Sequence, residues 1–201
     1  MVEEIDARFK LHVNVKEAFY EVNRERFVPK GFGRMAFKLD ALPMKQNQWI
    51  SSPLTVAKMT QHLRLNGVDS VLEIGCGSGY QAAILSQLCR RVFTIERIDA
   101  LLKEAKERFR HEKINNIFTR FDDGQRGWKT YAPYERILFS ATATKIPTVL
   151  FDQLAEGGIL LAPLQEDNVQ MITRFHKKNG KISSESLESC LFVPILDGRI
   201  K

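Results

Sequence analysis

A glycine-rich loop that follows a short apolar run constrains the fold of this chain more than any other feature. The run covers residues 71–74, and the loop that overlaps its end reads Glu73-Ile74-Gly75-Cys76-Gly77-Ser78-Gly79. Glycines permit tight, left-handed turns and let a ligand approach the backbone without meeting a Cβ atom. A helix that begins directly after such a loop adds unpaired N–H donors. The segment therefore predicts a strand, a ligand-binding turn and a helix within an α/β sheet.

The rest of the chain alternates between short apolar runs and helical patterns. We expect further strands at residues 92–95, 117–121, 136–140 and 159–162, and helices at 81–88, 100–111 and 147–154. Strands joined through helices run parallel, and the helices cover both faces of the sheet. The C-terminal part differs because only turns separate its apolar runs, and we expect antiparallel strands at 169–176 and 189–196. The prediction is a doubly wound, mostly parallel α/β sheet with antiparallel C-terminal edge strands.

We expect one domain over residues 1–201, because no repeat or long linker divides the chain. Its three parts are an N-terminal helical extension on the substrate side (1–66), a cofactor-binding core (67–165) and the C-terminal antiparallel strands (166–201).

Within the N-terminal extension, apolar spacing predicts amphipathic helices in residues 2–26, and the turn-rich residues 27–50 predict an irregular segment. A further helix is expected to start at Ser52 and Pro53, an N-cap followed by proline in the first turn, and to end at Gly67.

The composition excludes several classes of protein. The three cysteines form no Cys-x-x-Cys pair and the four histidines show no ligand spacing, so we expect neither a disulfide framework nor a metal. The first residues are acidic where a secretory signal is basic and then apolar, and no apolar run reaches the ~20 residues of a membrane span. We therefore expect a cytoplasmic protein with no membrane partner.

The chain is basic, with a net charge of +6 and a pI of about 9.3. An excess of Lys and Arg favours nucleic-acid binding, because these residues neutralise phosphates. The basic residues are nevertheless scattered, and their densest clusters, Arg90-Arg91 and His176-Lys177-Lys178, span only two or three positions. We interpret the charge as a solvated basic surface and expect no nucleic-acid partner.

Two acidic positions follow predicted strands and belong to the same edge of the sheet as the glycine loop. Glu96 ends the second strand, where a carboxylate can accept hydrogen bonds from the hydroxyls of an adenosine ribose. Asp123-Gly124 follows the third strand, where a carboxylate suits the amino group of adenine. The glycine loop and these acids together predict a site for a nucleoside cofactor.

The spacing of the glycines distinguishes between cofactors. Dinucleotide sites have the pattern G-x-G-x-x-G, but Tyr80 stands where that pattern has its third glycine. No Lys-Ser or Lys-Thr pair follows the loop, which excludes a phosphate-binding P-loop. Glu73, two residues before Gly75, is typical of sites for S-adenosylmethionine and could meet its cationic methionine end. The sequence therefore favours S-adenosyl-L-methionine as the cofactor.

The glycine loop and its surroundings resemble the protein-L-isoaspartate (D-aspartate) O-methyltransferase family. The resemblance covers about residues 24–196, and its motifs are the segments 71–83, Ile95-Glu96-Arg97-Ile98, Asp122-Asp123-Gly124, Gly127-Trp128, Ile146-Pro147, Gln153-Leu154, Gly157-Gly158 and Phe192-Val193-Pro194. It implies a Rossmann-like class I methyltransferase, with Glu96 and Arg97 at the ribose-binding strand end.

The more specific resemblance lies upstream of the glycine loop. Gln48-Trp49-Ile50-Ser51-Ser52-Pro53 is similar to the family's Gly-Gln-Thr-Ile-Ser-x-Pro segment, with Asn47 at the position of the glycine and Trp49 at that of the threonine. The resemblance implies that Gln48, Trp49 and Ile50 border the cofactor and that the Ser51 hydroxyl contacts the reacting centre. The alternative for Ser51 is a second helix-capping serine beside Ser52.

The resemblance implies carboxyl methylation of L-isoaspartyl residues in damaged proteins, the first step of their repair, with isoaspartyl peptides and proteins as partners. An isoaspartyl carboxylate is ionised at neutral pH, so its methylation needs no strong general base. Two alternatives stay open at this point. The same fold could methylate RNA or a small molecule, and the altered residues at 47–49 could mark a non-catalytic, cofactor-binding homologue.

Overall fold

The structure is a computed structural model that describes residues 1–201. Its six α-helices are α1 Val2–Arg8, α2 Val13–Glu21, α3 Pro53–His62, α4 Tyr80–Ser86, α5 Asp99–His111 and α6 Thr148–Asp152. Its nine strands are β1 Leu42–Pro43, β2 Trp49–Ile50, β3 Ser70–Ile74, β4 Arg91–Glu96, β5 Ile117–Phe121, β6 Tyr134–Phe139, β7 Leu154–Glu166, β8 Val169–Lys178 and β9 Lys181–Cys190.

Seven strands form one sheet in the order β5-β4-β3-β6-β7-β8-β9. The pairs from β5 to β7 are parallel, and β8 and β9 add antiparallel pairs at one edge. The chain passes from β3 to β4 on one side and later returns to β6 on the other, so the strand order reverses at the carboxyl end of β3. The predicted doubly wound sheet with an antiparallel C-terminal edge is confirmed, and ligands of such sheets bind at this reversal.

Helices cover both faces of the sheet because alternate residues of a strand point to opposite sides. On β3, Val71 belongs to an apolar cluster of 34 buried residues that includes the inner faces of α1 to α5. Its neighbour Leu72 belongs to a second cluster of 13 buried residues with Leu150 of α6. The central strands are therefore buried on both sides, which explains their continuous apolar character. No helix is long and apolar enough to cross a membrane.

The N-terminal extension contains the expected helices and one small hairpin. The Ser52 hydroxyl accepts a hydrogen bond from Thr55 N at 3.1 Å, which caps α3 as predicted. The helix ends at His62, however, five residues before Gly67, so the prediction that Gly67 ends it is wrong. Within the segment expected to be irregular, β1 and β2 pair as two short antiparallel strands that position the residues before Ser52.

The last strand lies elsewhere than predicted. The turn at Asn179 and Gly180, both with positive φ, is tight, so β9 starts at once and occupies Lys181–Cys190 instead of 189–196. The residues after β9 run back across the carboxyl ends of the sheet. Thr142 N donates to Val193 O at 2.8 Å, and Ile200 N donates to Arg97 O at 2.7 Å. This C-terminal tail, residues 191–201, therefore covers the edge where a ligand would bind.

Candidate active site

The glycine loop lies between β3 and α4, where the strand order reverses. Gly75 N donates to the Ile95 carbonyl at 2.9 Å, which holds the loop against the end of β4. Gly79 caps α4 with φ +87°, and a Cβ atom there would lie 2.6 Å from the Phe109 ring. Only glycine adopts this positive φ readily and also lacks the Cβ atom that would clash with Phe109. The loop is thus held in one shape by β4 on one side and by α5 on the other.

Glu96 ends β4 and faces the glycine loop. Its carboxylate accepts hydrogen bonds from Gly77 N at 2.8 Å and from Ile98 N at 2.9 Å, one on each oxygen. Burial raises the pKa of Glu96, while these backbone donors act in the opposite direction. Each carboxylate oxygen has a further lone pair. The side chain can therefore accept two additional hydrogen bonds from a ligand that lies beside the loop.

Glu73 lies beneath the loop and is fully buried. Thr94 Oγ1 donates to one carboxyl oxygen at 2.5 Å, and Ser140 Oγ donates to the other at 3.1 Å. Burial raises the pKa of Glu73 to about 8. The side chain thus reaches the ligand-binding edge only through the Ser140 hydroxyl.

A cavity of about 1010 Å³, including its open mouth, extends from the glycine loop to the segment around Ser51. Of its 27 lining residues, 15 are hydrophobic, which suits a ligand with a flat apolar ring. The site residues expected from the sequence that line it are Gln48, Trp49, Ile50, Ser51, Gly75, Cys76, Gly77, Ser78, Glu96, Arg97 and Gly124. Three expected residues lie outside its wall, namely Glu73, Gly79 and Asp123.

The two serines before α3 have separate environments. The Ser52 hydroxyl caps the helix and also lies 2.9 Å from Thr55 Oγ1. The Ser51 hydroxyl makes no hydrogen bond within the protein, and its residue lines the cavity. The capping role thus belongs to Ser52 alone, and the hydroxyl of Ser51 is free to contact a ligand.

Arg97, which lines the cavity, and Asp123, which does not, both hold the C-terminal tail. Arg97 donates from Nε to Gly198 O at 3.1 Å and from Nη2 to Asp197 O at 3.0 Å. Asp123 accepts from Gly198 N at 3.0 Å and from Gln125 N, also at 3.0 Å. The expected contact of Asp123 with adenine stays a prediction, since Asp123 does not line the cavity.

Several cavity residues could not be assigned from the sequence. The main group is the tail segment Phe192, Val193, Pro194, Ile195 and Leu196. The apolar pattern predicts an edge strand for these residues, although Pro194 disfavours a strand and signals that the chain leaves the sheet there. Ser140, at the end of β6, also lines the cavity and has a sequence signal, because it follows a strand at the same edge. No group of three or more His, Cys, Asp or Glu side chains is arranged to hold a metal.

The strand order and the cavity at the reversal point define a class of protein, the Rossmann-like class I methyltransferases. A solved structure supports the fold. It is described as a protein-L-isoaspartate O-methyltransferase from Plasmodium falciparum, in complex with S-adenosyl-L-homocysteine. It has a TM-score of 0.87 and 22% sequence identity, and the alignment covers 97% of this chain and 96% of that one.

Sequence comparison gives the family. The model of the protein-L-isoaspartate(D-aspartate) O-methyltransferase family matches residues 1–200. The protein-L-isoaspartate O-methyltransferase of Helicobacter pylori strain J99 is 58% identical over 199 residues, which are 98% of this chain and 95% of the relative. That of Maricaulis maris is 43% identical, over 93% of this chain and 88% of the relative. The chain belongs to the protein-L-isoaspartate(D-aspartate) O-methyltransferase family.

The chain is accordingly an S-adenosylmethionine-dependent methyltransferase that acts in the repair of isoaspartyl damage in proteins. The alternatives of an RNA or small-molecule methyltransferase, and of a non-catalytic homologue, are not favoured by these findings.

Proposed function

We propose that this cavity binds S-adenosylmethionine along the glycine loop and presents its methyl group to an isoaspartyl carboxylate held at Ser51. One observation carries this assignment. Residues of the glycine loop, Glu96 and Ser51 line the same cavity, although they come from three separate parts of the chain. A cofactor and an acceptor bound in one cavity are close enough to react without diffusion between sites.

The residues present fit the proposed cofactor. Glu96 keeps a free lone pair on each oxygen for the two ribose hydroxyls, beside the backbone of Gly77. Apolar side chains such as Ile74, Ile98 and Leu101 line the cavity near them and suit the adenine ring. When bound, the cofactor supplies a methyl group activated by a positively charged sulfur.

Ser51 is proposed to orient the acceptor. A carboxylate with a pKa near 4 is ionised at neutral pH, so its oxygen is nucleophilic without a general base. The Ser51 hydroxyl donates a hydrogen bond to one carboxylate oxygen and leaves the other free for methyl transfer. Catalysis then consists mainly of positioning, which can contribute several kcal/mol when reacting atoms are held about 3 Å apart.

Trp49 is proposed to cover the mouth of the cavity at the acceptor side. Its side chain lines the cavity and is about half exposed, at 53%. An indole ring in this place reduces the access of water and offers an apolar surface to the peptide. This role accounts for the presence of an aromatic residue where the family has threonine.

Each of the three parts of the chain is proposed to form a different side of the cavity. Residues 1–66 supply the acceptor side, residues 67–165 supply the cofactor side, and the tail within 166–201 closes the adenosine end.

A cytoplasmic location is part of the proposal, supported by three cysteines that form no disulfide, Cys76, Cys89 and Cys190. We also propose that the partners are isoaspartyl peptides and proteins and not nucleic acids, and that the basic surface is solvated.

The test uses the labelled methyl group of S-adenosylmethionine. It compares an isoaspartyl peptide with the same peptide containing normal aspartate at that position. We expect incorporation into the isoaspartyl peptide alone, and a product that loses its label at alkaline pH, as an ester does. Equal incorporation into both peptides, or into tRNA under the same conditions, would contradict the proposal.

A further inference from the structure

Glu73 is a buried carboxyl group without a cationic partner. Its side chain has no exposed surface, and the only hydrogen-bond partners of its two oxygens are two hydroxyl groups, Thr94 Oγ1 and Ser140 Oγ, which can donate or accept. Leu138, its neighbour on β6, contributes an apolar side chain. No Lys, Arg or His side chain forms an ion pair with it. An isolated carboxylate in such surroundings loses the hydration that stabilises its charge.

The charged and titratable groups around Glu73 do not compensate for this loss. Glu96, at the end of β4, raises the pKa of Glu73 by its own negative charge. The Cys76 thiol of the glycine loop is buried, and its pKa lies well above the usual value. Arg108 on α5 is directed at Glu104 and at the Ser78 carbonyl. Burial, the largest cause, raises the pKa of Glu73 to about 8, above neutral pH.

A single hydroxyl separates Glu73 from the cavity. Ser140 donates to the Glu73 carboxyl group and also lines the cavity, next to Gly75. A Cβ atom on Gly75 would lie 3.7 Å from Ser140, so this part of the loop packs directly on that residue. A cation bound in the cavity beside Gly75 and Ser140 would therefore act on Glu73 through a short, water-poor path. Opposite charges favour the ionised form of a carboxyl group strongly in such a medium.

We propose that Glu73 is a neutral carboxylic acid in the ligand-free protein and releases its proton to solvent when the cofactor binds. This inference rests on the proposed function, because it needs S-adenosylmethionine, with its sulfonium and ammonium charges, in the cavity. The carboxylate formed on binding balances the incoming positive charge. The empty site thereby avoids a buried, unpaired anion, and the loaded site gains a counter-ion.

Isothermal titration calorimetry tests the proposal without any turnover. S-adenosylmethionine is titrated into the protein at pH 7 in phosphate, Hepes and Tris, whose ionisation enthalpies differ. We expect release of close to one proton per cofactor bound, read from the slope of observed enthalpy against buffer enthalpy. Between pH 6 and 7 the association constant should rise up to about tenfold, since one released proton gives that dependence. Binding that releases no proton would overturn the proposal.

Two matched variants assign the proton to a residue. Glu73→Gln keeps the shape and both hydroxyl contacts but carries no acidic proton, and we expect its binding to release no proton and to be independent of pH in this range. Glu96→Gln should bind more weakly and still release close to one proton. If release persists in Glu73→Gln and vanishes in Glu96→Gln, the proton belongs to Glu96 and the assignment to Glu73 is wrong.

A measurement on the unaltered protein covers the case in which Glu73→Gln fails to fold. Infrared difference spectroscopy should show loss of the carbonyl band of a protonated carboxylic acid when the cofactor is added. An unchanged band would overturn the inference. Failure of the proposed function is distinguishable, because it would appear as absence of cofactor binding in both experiments, whereas failure of this inference alone leaves binding intact.

Discussion

Lys45 Nζ lies 2.7 Å from Glu104 Oε1, and this ion pair joins the loop between β1 and β2 to α5. The second carboxylate oxygen of Glu104 pairs with Arg108 at 3.1 Å, and Arg108 Nη1 donates to Ser78 O at 3.2 Å. The loop before Ser51 is thus connected to the glycine loop through three charged side chains. Because the side chains of Lys45, Glu104 and Arg108 are all partly exposed, the two ion pairs should respond to salt.

The first prediction concerns this connection. Lys45→Met should raise the KM for an isoaspartyl peptide by roughly twofold to fivefold, since an exposed ion pair contributes about 0.2–1 kcal/mol. The matched control is Lys103→Met, which removes an exposed ion pair with Asp99 on the same helix, 2.6 Å long, without affecting either loop. Steady-state kinetics at low and high salt measure the effect. A KM that changes equally in both variants would show that the connection does not position the acceptor.

The second prediction separates the adjacent serines. Ser51→Ala should lower kcat by roughly 10- to 100-fold, the value of one hydrogen bond to a charged group, while the cofactor Kd stays nearly constant. Ser52→Ala should instead remove the cap of α3 and reduce stability by about 1 kcal/mol, with kcat retained below the unfolding temperature. The measurements are the kcat and the melting temperature of each variant. The opposite pattern would make Ser51 a structural residue.

The third prediction concerns the strand-end carboxylate. Glu96→Ala removes the acceptor proposed for two ribose hydroxyls, and each hydrogen bond to a charged group is worth about 1.5–3 kcal/mol. The cofactor Kd should therefore rise at least tenfold, as measured by calorimetry. Asp122→Ala is a suitable comparison. Asp122 follows β5, the strand next to β4, and it pairs with Arg120 and does not line the cavity. Equal Kd values for the two variants would contradict the proposed contact of Glu96 with the ribose hydroxyls.

The parallel core was predictable because burial on both faces makes its strands continuously apolar. β3 and β4 match the expected segments to within a residue or so, and Glu96 ends its strand as expected. The glycine loop was equally predictable, because the spacing of its glycines reflects a backbone geometry that only glycine adopts readily. Local sequence was sufficient in both cases, since neighbouring residues determine these features.

The C-terminal part was less predictable because distant contacts determine it. β9 is largely exposed and rich in Ser and Glu, so it lacks the apolar signal of a strand. The tail after it is apolar from Phe192 to Leu196, which suggested a strand, yet these side chains line the cavity. The burial of Glu73 was also not predictable. An acid two residues before Gly75 suggests contact with a cation, whereas its burial depends on the packing of β4 and β6.

The fourth prediction concerns the stability of the ligand-free protein. The pKa of Glu73 is about 8 in the folded protein and near the ordinary 4.5 when unfolded. The folded state therefore holds a proton that the unfolded state has lost, and the stability of the protein falls as pH rises from about 4.5 through 8. Glu73→Gln removes this contribution. Its melting temperature should be close to that of the unaltered protein at pH 5 and higher at pH 8.5. A constant difference across this range would contradict a neutral Glu73.

The fifth prediction concerns Arg24, which is fully buried against the ring of Tyr80, 4.8 Å away. Its Nε and Nη1 atoms have no hydrogen-bond partner, and Nη2 reaches only the Asp40 carbonyl, at 3.5 Å. Burial lowers the pKa of its guanidinium to about 10. An unpaired buried charge is destabilising, and an apolar residue of similar length removes that cost.

Arg24→Met should therefore raise the melting temperature by a few degrees, since about 1 kcal/mol shifts it by roughly 2–4 °C in a protein of this size. Arg136→Met is the matched control. Arg136 is only partly buried, and it donates to the Leu63 carbonyl at 2.8 Å and to the Arg64 carbonyl at 2.9 Å. Its replacement removes these hydrogen bonds without relieving an unpaired buried charge, so the melting temperature should fall. Differential scanning calorimetry compares the two variants. A decrease for Arg24→Met as well would mean that the Arg24 guanidinium stabilises the packing around Tyr80 by more than its burial costs.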